Sequence, residues 1–178
     1  MRVFFAIELV EETKAGLYSI QQNIKKMCSG GNFTHKENFH LTLRFIGEQS
    51  SSQVNELKNI LKLAAKETAA FELRMSNIGT FNKGNKKIIW AGIDKSSKLQ
   101  GLFERLEARL EATGYPREER SYSPHITLVR EAKPLEAFQF GSINFDMLTI
   151  KVSSISLMES TRIDNKLTYR AVDRAELL

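Results

Sequence analysis

The hexamer HLTLRF occupies residues 40–45, and a near copy, HITLVR, occupies residues 125–130. The chain of 178 residues has three histidines, and two of them open these hexamers. Each hexamer reads as a β-strand, whose side chains point alternately to opposite faces. His40, Thr42 and Arg44 then share one face, and Leu41, Leu43 and Phe45 the other. In the second copy His125 and Thr127 lie opposite Ile126 and Leu128. Each strand buries an apolar side and presents a histidine and a threonine on the other. Strict alternation puts Val129 on the histidine face and Arg130 on the opposite one, unless a bulge turns the strand end.

The repeat extends outward from the hexamers. Shifted by 85 residues, FFAIEL (4–9) falls on IWAGID (89–94), so that Phe5 and Trp90 each precede a histidine by 35 residues. A helix is expected between strand and histidine in both copies. In the first, Leu17, Ile20, Ile24 and Met27 form the apolar stripe, acidic residues lead, lysines close, and SGGN (29–32) is expected to stop the helix. In the second, Ser97 with Gln100 opens a helix striped by Leu99, Leu102, Phe103, Leu106 and Leu110, and Gly114 ends it. A third helix follows HLTLRF, with Ser50 and Gln53 at capping-box spacing before Val54, Leu57, Ile60, Leu61 and Ala64. Strands are expected at FELRMSNIGTF, which runs into a turn at 82–87, and in the tail, at 145–160 and 166–177. The pattern is α+β. A strand–helix–strand unit written twice predicts one domain, residues 1–178, made of two pseudo-symmetric lobes. Its two antiparallel sheets, with helices outside, flank a central cleft where the two histidine strands face each other.

Two facing histidines suit proton transfer. Imidazole titrates near about pH 6.5, so one ring can be neutral while the other is charged. The neutral ring takes a proton from water and the charged ring gives one to a leaving oxygen. Threonine hydroxyls can hold non-bridging phosphate oxygens. His40, Thr42, His125 and Thr127 thus form a candidate set for cleaving a phosphodiester without a metal or other cofactor. Zinc is the rival reading, but neither histidine face carries the third ligand such a site needs. For a single histidine, a half-buried ring bonded to the backbone is the simpler reading; repetition of the whole motif favours function. His35, in THKEN, is expected at the surface. SGGN and FNKGNK lack the spacing of a phosphate-binding loop.

Composition sets the wider bounds. Lys and Arg number 26 against 21 Asp and Glu, a formal charge of +5, which permits an RNA partner without demanding one. No long basic arm is present. The single cysteine, Cys28, excludes an internal disulfide and suits a reducing compartment. The apolar run at the start turns acidic too soon for a secretion signal, and no segment reaches the roughly 18 apolar residues of a membrane span. A cytoplasmic protein, monomeric by default, is expected.

The two hexamers with their flanks resemble the two-histidine (2H) phosphoesterase superfamily, and within it the bacterial and archaeal RNA 2′,3′-cyclic phosphodiesterases, also called 2′-5′ RNA ligases. The likeness rests on FFAIEL, ENFHLTLRFIGE (37–48), GTF (79–81), IIWAGI (88–93), SPHITLVR (123–130) and the tail LMEST…KLTYRAV. It implies the bilobal fold and metal-free hydrolysis of an RNA 2′,3′-cyclic phosphate to a 2′-phosphate. It gives His40 the role of proton donor to the departing 3′-oxygen, His125 that of base, and Thr42 and Thr127 that of phosphate holders. It offers Arg130 as a phosphate or substrate contact, whereas Arg44 has the better strand parity. Tyr122 is the first candidate for stacking on a base, ahead of Tyr115 and Tyr169. The chain departs from the family where EAKPLEAFQFGSINF (131–145) follows the second motif as a loop expected to border the cleft. RIDNK replaces the expected Gly-Pro turn, using Asp164-Asn165. Partners implied are RNA ends or small cyclic nucleotides. The alternatives are a module that binds RNA ends or a nucleotide without turnover, and a small cyclic-nucleotide phosphodiesterase.

Overall fold

The computed structural model describes residues 1–136, 143 and 147–178, except the side chain of Ser76. The strands are β1 (Arg2–Glu8), β2 (Cys28–Phe33), β3 (His40–Glu48), β4 (Phe71–Lys83), β5 (Lys86–Ile93), β6 (His125–Pro134), β7 (Leu148–Val152), β8 (Ser154–Ile163) and β9 (Lys166–Glu176). The helices are α1 (Glu11–Lys26), α2 (Ser51–Lys66) and α3 (Ser97–Ala112), with a single 3-10 turn at Lys36–Asn38. One sheet has the order β3-β1-β8-β9 and the other β2-β6-β5-β4-β7, and the described pairings are all antiparallel. The expected α+β, two-sheet arrangement is what forms.

The helices follow their local signals. Ser50 and Gln53 make the reciprocal capping box of α2, worth about 1 kcal/mol. For α3 the cap is one residue earlier than expected: the Leu99 N–H donates to the Ser96 hydroxyl, and Ser97 is the first helical residue. Gly114 closes α3 at φ 91°, in the left-handed region that glycine reaches without a steric cost.

The expectation for SGGN is corrected. Met27 ends α1, and Cys28–Phe33 pairs at once with the outer edge of β6, from Cys28 opposite Pro134 to Phe33 opposite Val129. An open strand edge offers unpaired N–H and C=O groups, and that pairing overrides the breaking tendency of two glycines. The stretch 131–145 is corrected in part: residues 131–134 continue β6, and most of the remainder lies outside the described residues.

The lobes interlock. Helix α1 leaves β1 of the first sheet yet packs on β2, β6 and β7 of the second. Gln21, buried on α1, donates from Nε2 to the carbonyls of Thr34 and Leu128, both at 2.8 Å. That bond fixes the helix to the backbone that carries the second motif. One apolar core runs through both sheets, from Phe5, Leu41 and Leu157 to Ile89, Ile126 and Val152.

Candidate active site

The duplication holds at the level of register. His40 lies opposite Glu8, Thr42 opposite Ala6 and Arg44 opposite Phe5. Correspondingly, His125 lies opposite Gly92, Thr127 opposite Trp90 and Val129 opposite Ile89. Both pairings skip one residue at the same place, Leu43 in β3 and Leu128 in β6, which makes a β-bulge in each lobe. The structural counterpart of Trp90 is therefore Ala6, not Phe5, one residue from the equivalence the sequence suggested.

The bulge also resolves the two arginines. An extra residue reverses the facing of everything beyond it. In β6 both Leu128 and Val129 turn into the core, fully buried, and Arg130 emerges in the cleft. In β3 the same reversal turns Arg44 away. Its Nε sits 2.7 Å from Oε1 of the buried Glu107, and its guanidinium also reaches Glu118 at 3.2 Å and the Pro116 carbonyl at 2.7 Å. Phe45, not Arg44, takes the place on the cleft that corresponds to Arg130. The parity expectation fails for both residues for this one reason.

His40, Thr42, His125 and Thr127 line a common cavity of about 670 Å³. A second cavity of about 680 Å³ shares His40, Thr127, Arg130, Leu167 and Tyr169 with it, so a continuous groove passes the histidine pair. The two rings are seated alike. His40 Nδ1 donates to the Asn38 carbonyl and His125 Nδ1 to the Ser123 carbonyl, each at 2.7 Å and each two residues back. A carbonyl only accepts, so the proton of a neutral ring is on Nδ1 and Nε2 is the free base. His40 Nε2 is 2.9 Å from the Thr42 hydroxyl. Aromatic rings flank both imidazoles: Phe4 and Tyr169 at 5.0 Å from His40, and Phe81 at 5.1 Å and Trp90 at 6.0 Å from His125. Gly79 makes room for the Trp90 ring; a Cβ there would stand 2.2 Å from Cη2.

These surroundings set the charge. Burial pushes the pKa of His40 below the usual imidazole value, the Asn38 bond opposes it, and the charges of Arg130 and His125 add to the lowering. For His125 burial again dominates, with the Ser123 bond opposing and Arg130 adding. In both rings burial favours the neutral form. Among the described residues no group of three or more His, Cys, Asp or Glu side chains could hold a metal ion.

The tyrosines divide differently from the sequence ranking. Tyr122 is a strut between lobes: its hydroxyl donates to the Thr42 carbonyl at 3.0 Å, its ring stacks on Phe103 at 4.3 Å, and burial raises its pKa. Tyr115 donates to Gln49. Tyr169, ranked below Tyr122, is the tyrosine that borders the groove. His35 is exposed, as expected, and accepts from the Glu37 N–H.

Asn38 was missed. It is 6% exposed, its Nδ2 donates to the Leu167 carbonyl at 2.8 Å, and its Oδ1 accepts from the Tyr169 N–H at 3.1 Å. One residue thus seats His40 through its backbone and pins strand β9, with Tyr169, through its side chain. The signal was present, because Asn38 and Ser123 stand two residues before each histidine.

Two interlocked lobes that bring a pair of His-x-Thr strands to one groove define a two-histidine phosphoesterase architecture. The family model described as LigT like Phosphoesterase matches residues 7–90. A relative from Methanocaldococcus jannaschii, named RNA 2′,3′-cyclic phosphodiesterase, is 30% identical over 131 residues, covering 73% of this chain and 71% of its own. One of the same name from Thermotoga maritima is 28% identical over 164 residues, covering 90% and 87%. Among solved structures, a protein of Thermus thermophilus superimposes with a TM-score of 0.81 at 25% identity, covering 99% of this chain and 98% of its own. Escherichia coli LigT complexed with 3′-AMP gives 0.82 at 24%, covering 99% and 97%. The chain belongs to the LigT-like phosphoesterase family. No described helix is long and apolar enough to cross a membrane.

Proposed function

We propose that this protein hydrolyses RNA 2′,3′-cyclic phosphate ends to 2′-phosphates, with His125 as base and His40 as acid and without a metal. The observation that carries the reading is the matched seating of the two rings. Each Nδ1–H is tied to a carbonyl two residues back, which makes each Nε2 the basic nitrogen, and both rings line one groove with Thr42 and Thr127. The donor set, two imidazoles that belong to no group of three or more His, Cys, Asp or Glu among the described residues, supports metal-free chemistry.

In the step, His125 Nε2 takes a proton from water as its oxygen bonds to phosphorus. The P–O3′ bond breaks, and His40 Nε2–H gives its proton to O3′. His40 must be charged at the outset, although the empty cleft disfavours that. An anionic phosphate in the groove opposes the burial and the Arg130 charge, so substrate itself arms the acid. Thr42, Thr127 and Arg130 would hold the phosphate oxygens. With an RNA 5′-hydroxyl in place of water, the same proton movements join two ends through a 2′-5′ linkage. The names of the M. jannaschii and T. maritima relatives support the RNA end as substrate.

The test is a short RNA with a 2′,3′-cyclic phosphate end, incubated with excess EDTA and no ATP. Wild type should yield a 2′-phosphate, and His40→Ala and His125→Ala should not. Intact ends with wild type, or loss of activity with EDTA alone, would overturn the proposal.

A further inference from the structure

Water needs little room beside a cyclic phosphate, yet the groove runs on past the histidine pair as a second cavity of about 680 Å³, large enough for a nucleotide. This wing is built by the parts that break the symmetry of the duplication. One wall is the end of β2, whose strand has no equivalent in the other lobe, with Phe33 facing the cavity. The other is the β8–β9 hairpin, with Arg162, Lys166 and Leu167. Asp164 and Asn165, at φ 49° and 61°, form the tight two-residue turn that sets Ile163 opposite Lys166 and Arg162 opposite Leu167, and Arg162 and Lys166 both border the cavity.

The charge of this wing suits a phosphate. Arg162 and Lys166 are exposed, and neither is in an ion pair among the described residues. Glu37 also faces the cavity, but its carboxylate is held by Lys14 at 3.3 Å. Phe33 supplies an aromatic wall, with Lys25 Nζ 5.6 Å from its ring centroid.

Ribose geometry assigns the occupant. A ribose with its C2′–C3′ edge at the histidines sends the base out from C1′ and the 5′ chain out from C4′, at opposite ends of the ring. One wing then serves the base and the other the chain. The Phe45 wing offers a ring that is 46% exposed, with the Arg2 guanidinium 5.0 Å from its centroid. That wing also carries Arg2 and Arg120, in no ion pair among the described residues, but Arg2 already lies over the Phe45 ring, whereas the Phe33 wing offers Arg162 and Lys166, which lie over no ring among the described residues. Resting on the function proposed above, we propose that the Phe33 wing binds the nucleotide preceding the cyclic end of a single-stranded RNA. Arg162 and Lys166 hold the connecting phosphate, and the preceding base lies against Phe33.

The experiment compares KM for a nucleoside 2′,3′-cyclic phosphate with a free 5′-hydroxyl and for a dinucleotide ending in the same cyclic phosphate. Binding of the corresponding mono- and dinucleotide 3′-phosphates is measured by calorimetry in parallel. The dinucleotide should win by about tenfold in both, the size of one stacked base. The Arg162→Ala/Lys166→Ala double variant should cut that ratio severalfold and flatten its salt dependence. Because the readout is a ratio, a general loss of activity cancels. Equal constants for the two lengths in wild type, or a ratio that survives the double variant, would overturn the assignment. Binding with the expected ratio but no turnover of either substrate would instead sink the hydrolase reading and leave this wing intact.

Discussion

His40 and His125 occupy the same position in two copies of one strand, and their surroundings differ. Both rings donate from Nδ1 to the carbonyl two residues back, and both sit just before a bulge. The residue that supplies the carbonyl, however, is the buried Asn38 in one lobe and the exposed Ser123 in the other. The Asn38 side chain continues into β9, which carries Tyr169 against the His40 ring. The first histidine is thereby tied to β9, whereas the second rests on the β4–β5 hairpin through Trp90 and Phe81. The two seats share one backbone bond, and the Asn38 side chain adds a tie to β9 on one side only among the described residues.

The comparison breaks most severely if the two seats do not share the work. Loss of either proposed proton carrier, in His40→Ala or His125→Ala, should lower the hydrolysis rate of a cyclic-phosphate RNA by about 10²–10⁴-fold. The double variant should be little worse than either single one, because groups acting in one step are not additive. Single-turnover rates that fall independently, so that the losses multiply, would mean two separate functions rather than one pair.

A second contrast lies one step along the strands. Val129 and Arg44 are counterparts, both turned inward by the bulge, but one is apolar in the core and the other is an arginine held by the buried Glu107. Glu107→Ala leaves the Arg44 charge without its buried partner and should cost about 3 kcal/mol or more in urea unfolding. Arg44→Met with Glu107→Leu imitates the Val129 arrangement and should recover most of that loss. A double variant as unstable as the single one would show that the bonds to the 116–118 backbone, from Arg44 to the Pro116 carbonyl and from the Glu118 N–H to Glu107, matter more than the buried ion pair.

Most of this was legible in the chain because it depends on local rules. The two strands, the three helices and the α2 capping box follow from periodicity and cap chemistry, and the histidine–threonine set follows from alternation. What failed depends on tertiary context. A bulge of one residue leaves no mark in HLTLRF, yet it decides whether Arg44 or Phe45 reaches the groove. SGGN reads as a helix stop because its reason to be a strand, the free edge of β6, is about a hundred residues away in the chain. Tyr122 and Tyr169 changed rank for the same reason. Nearness in sequence to the second histidine suggested Tyr122, but the β8–β9 hairpin is what delivers an aromatic ring to the groove.

Asn38 gives a sharper and smaller test of the unequal seats. Asn38→Ala removes two hydrogen bonds to β9 while sparing the backbone carbonyl that His40 uses. We expect a rate loss of about tenfold or more, consistent with a misplaced proton carrier, and a displaced pH-rate limb for His40 alone. Ser123→Ala, its counterpart, has no comparable side-chain bond to lose among the described residues and should stay within about twofold of wild type. Equal effects from the two variants would remove the distinction.

The smallest effect is the most direct to read. The single tryptophan, Trp90, lies with its ring 6.0 Å from His125, whereas the rings against His40 are Phe4 and Tyr169. A charged imidazole quenches indole fluorescence, so Trp90 reports protonation of His125. Burial lowers that pKa in the fold. Emission should therefore hold steady down to about pH 6.5, the unfolded value, and drop only below it. Between the two values the unfolded chain binds the proton more readily than the folded one, so stability also falls as pH falls through that window. His125→Ala should abolish the transition, Asn38→Ala should leave its midpoint in place, and inorganic phosphate bound in the groove should move it upward by stabilising the charged ring. A midpoint at or above about 6.5 would mean that the cleft does not desolvate His125, and burial would then not be what favours the neutral form of the proposed base.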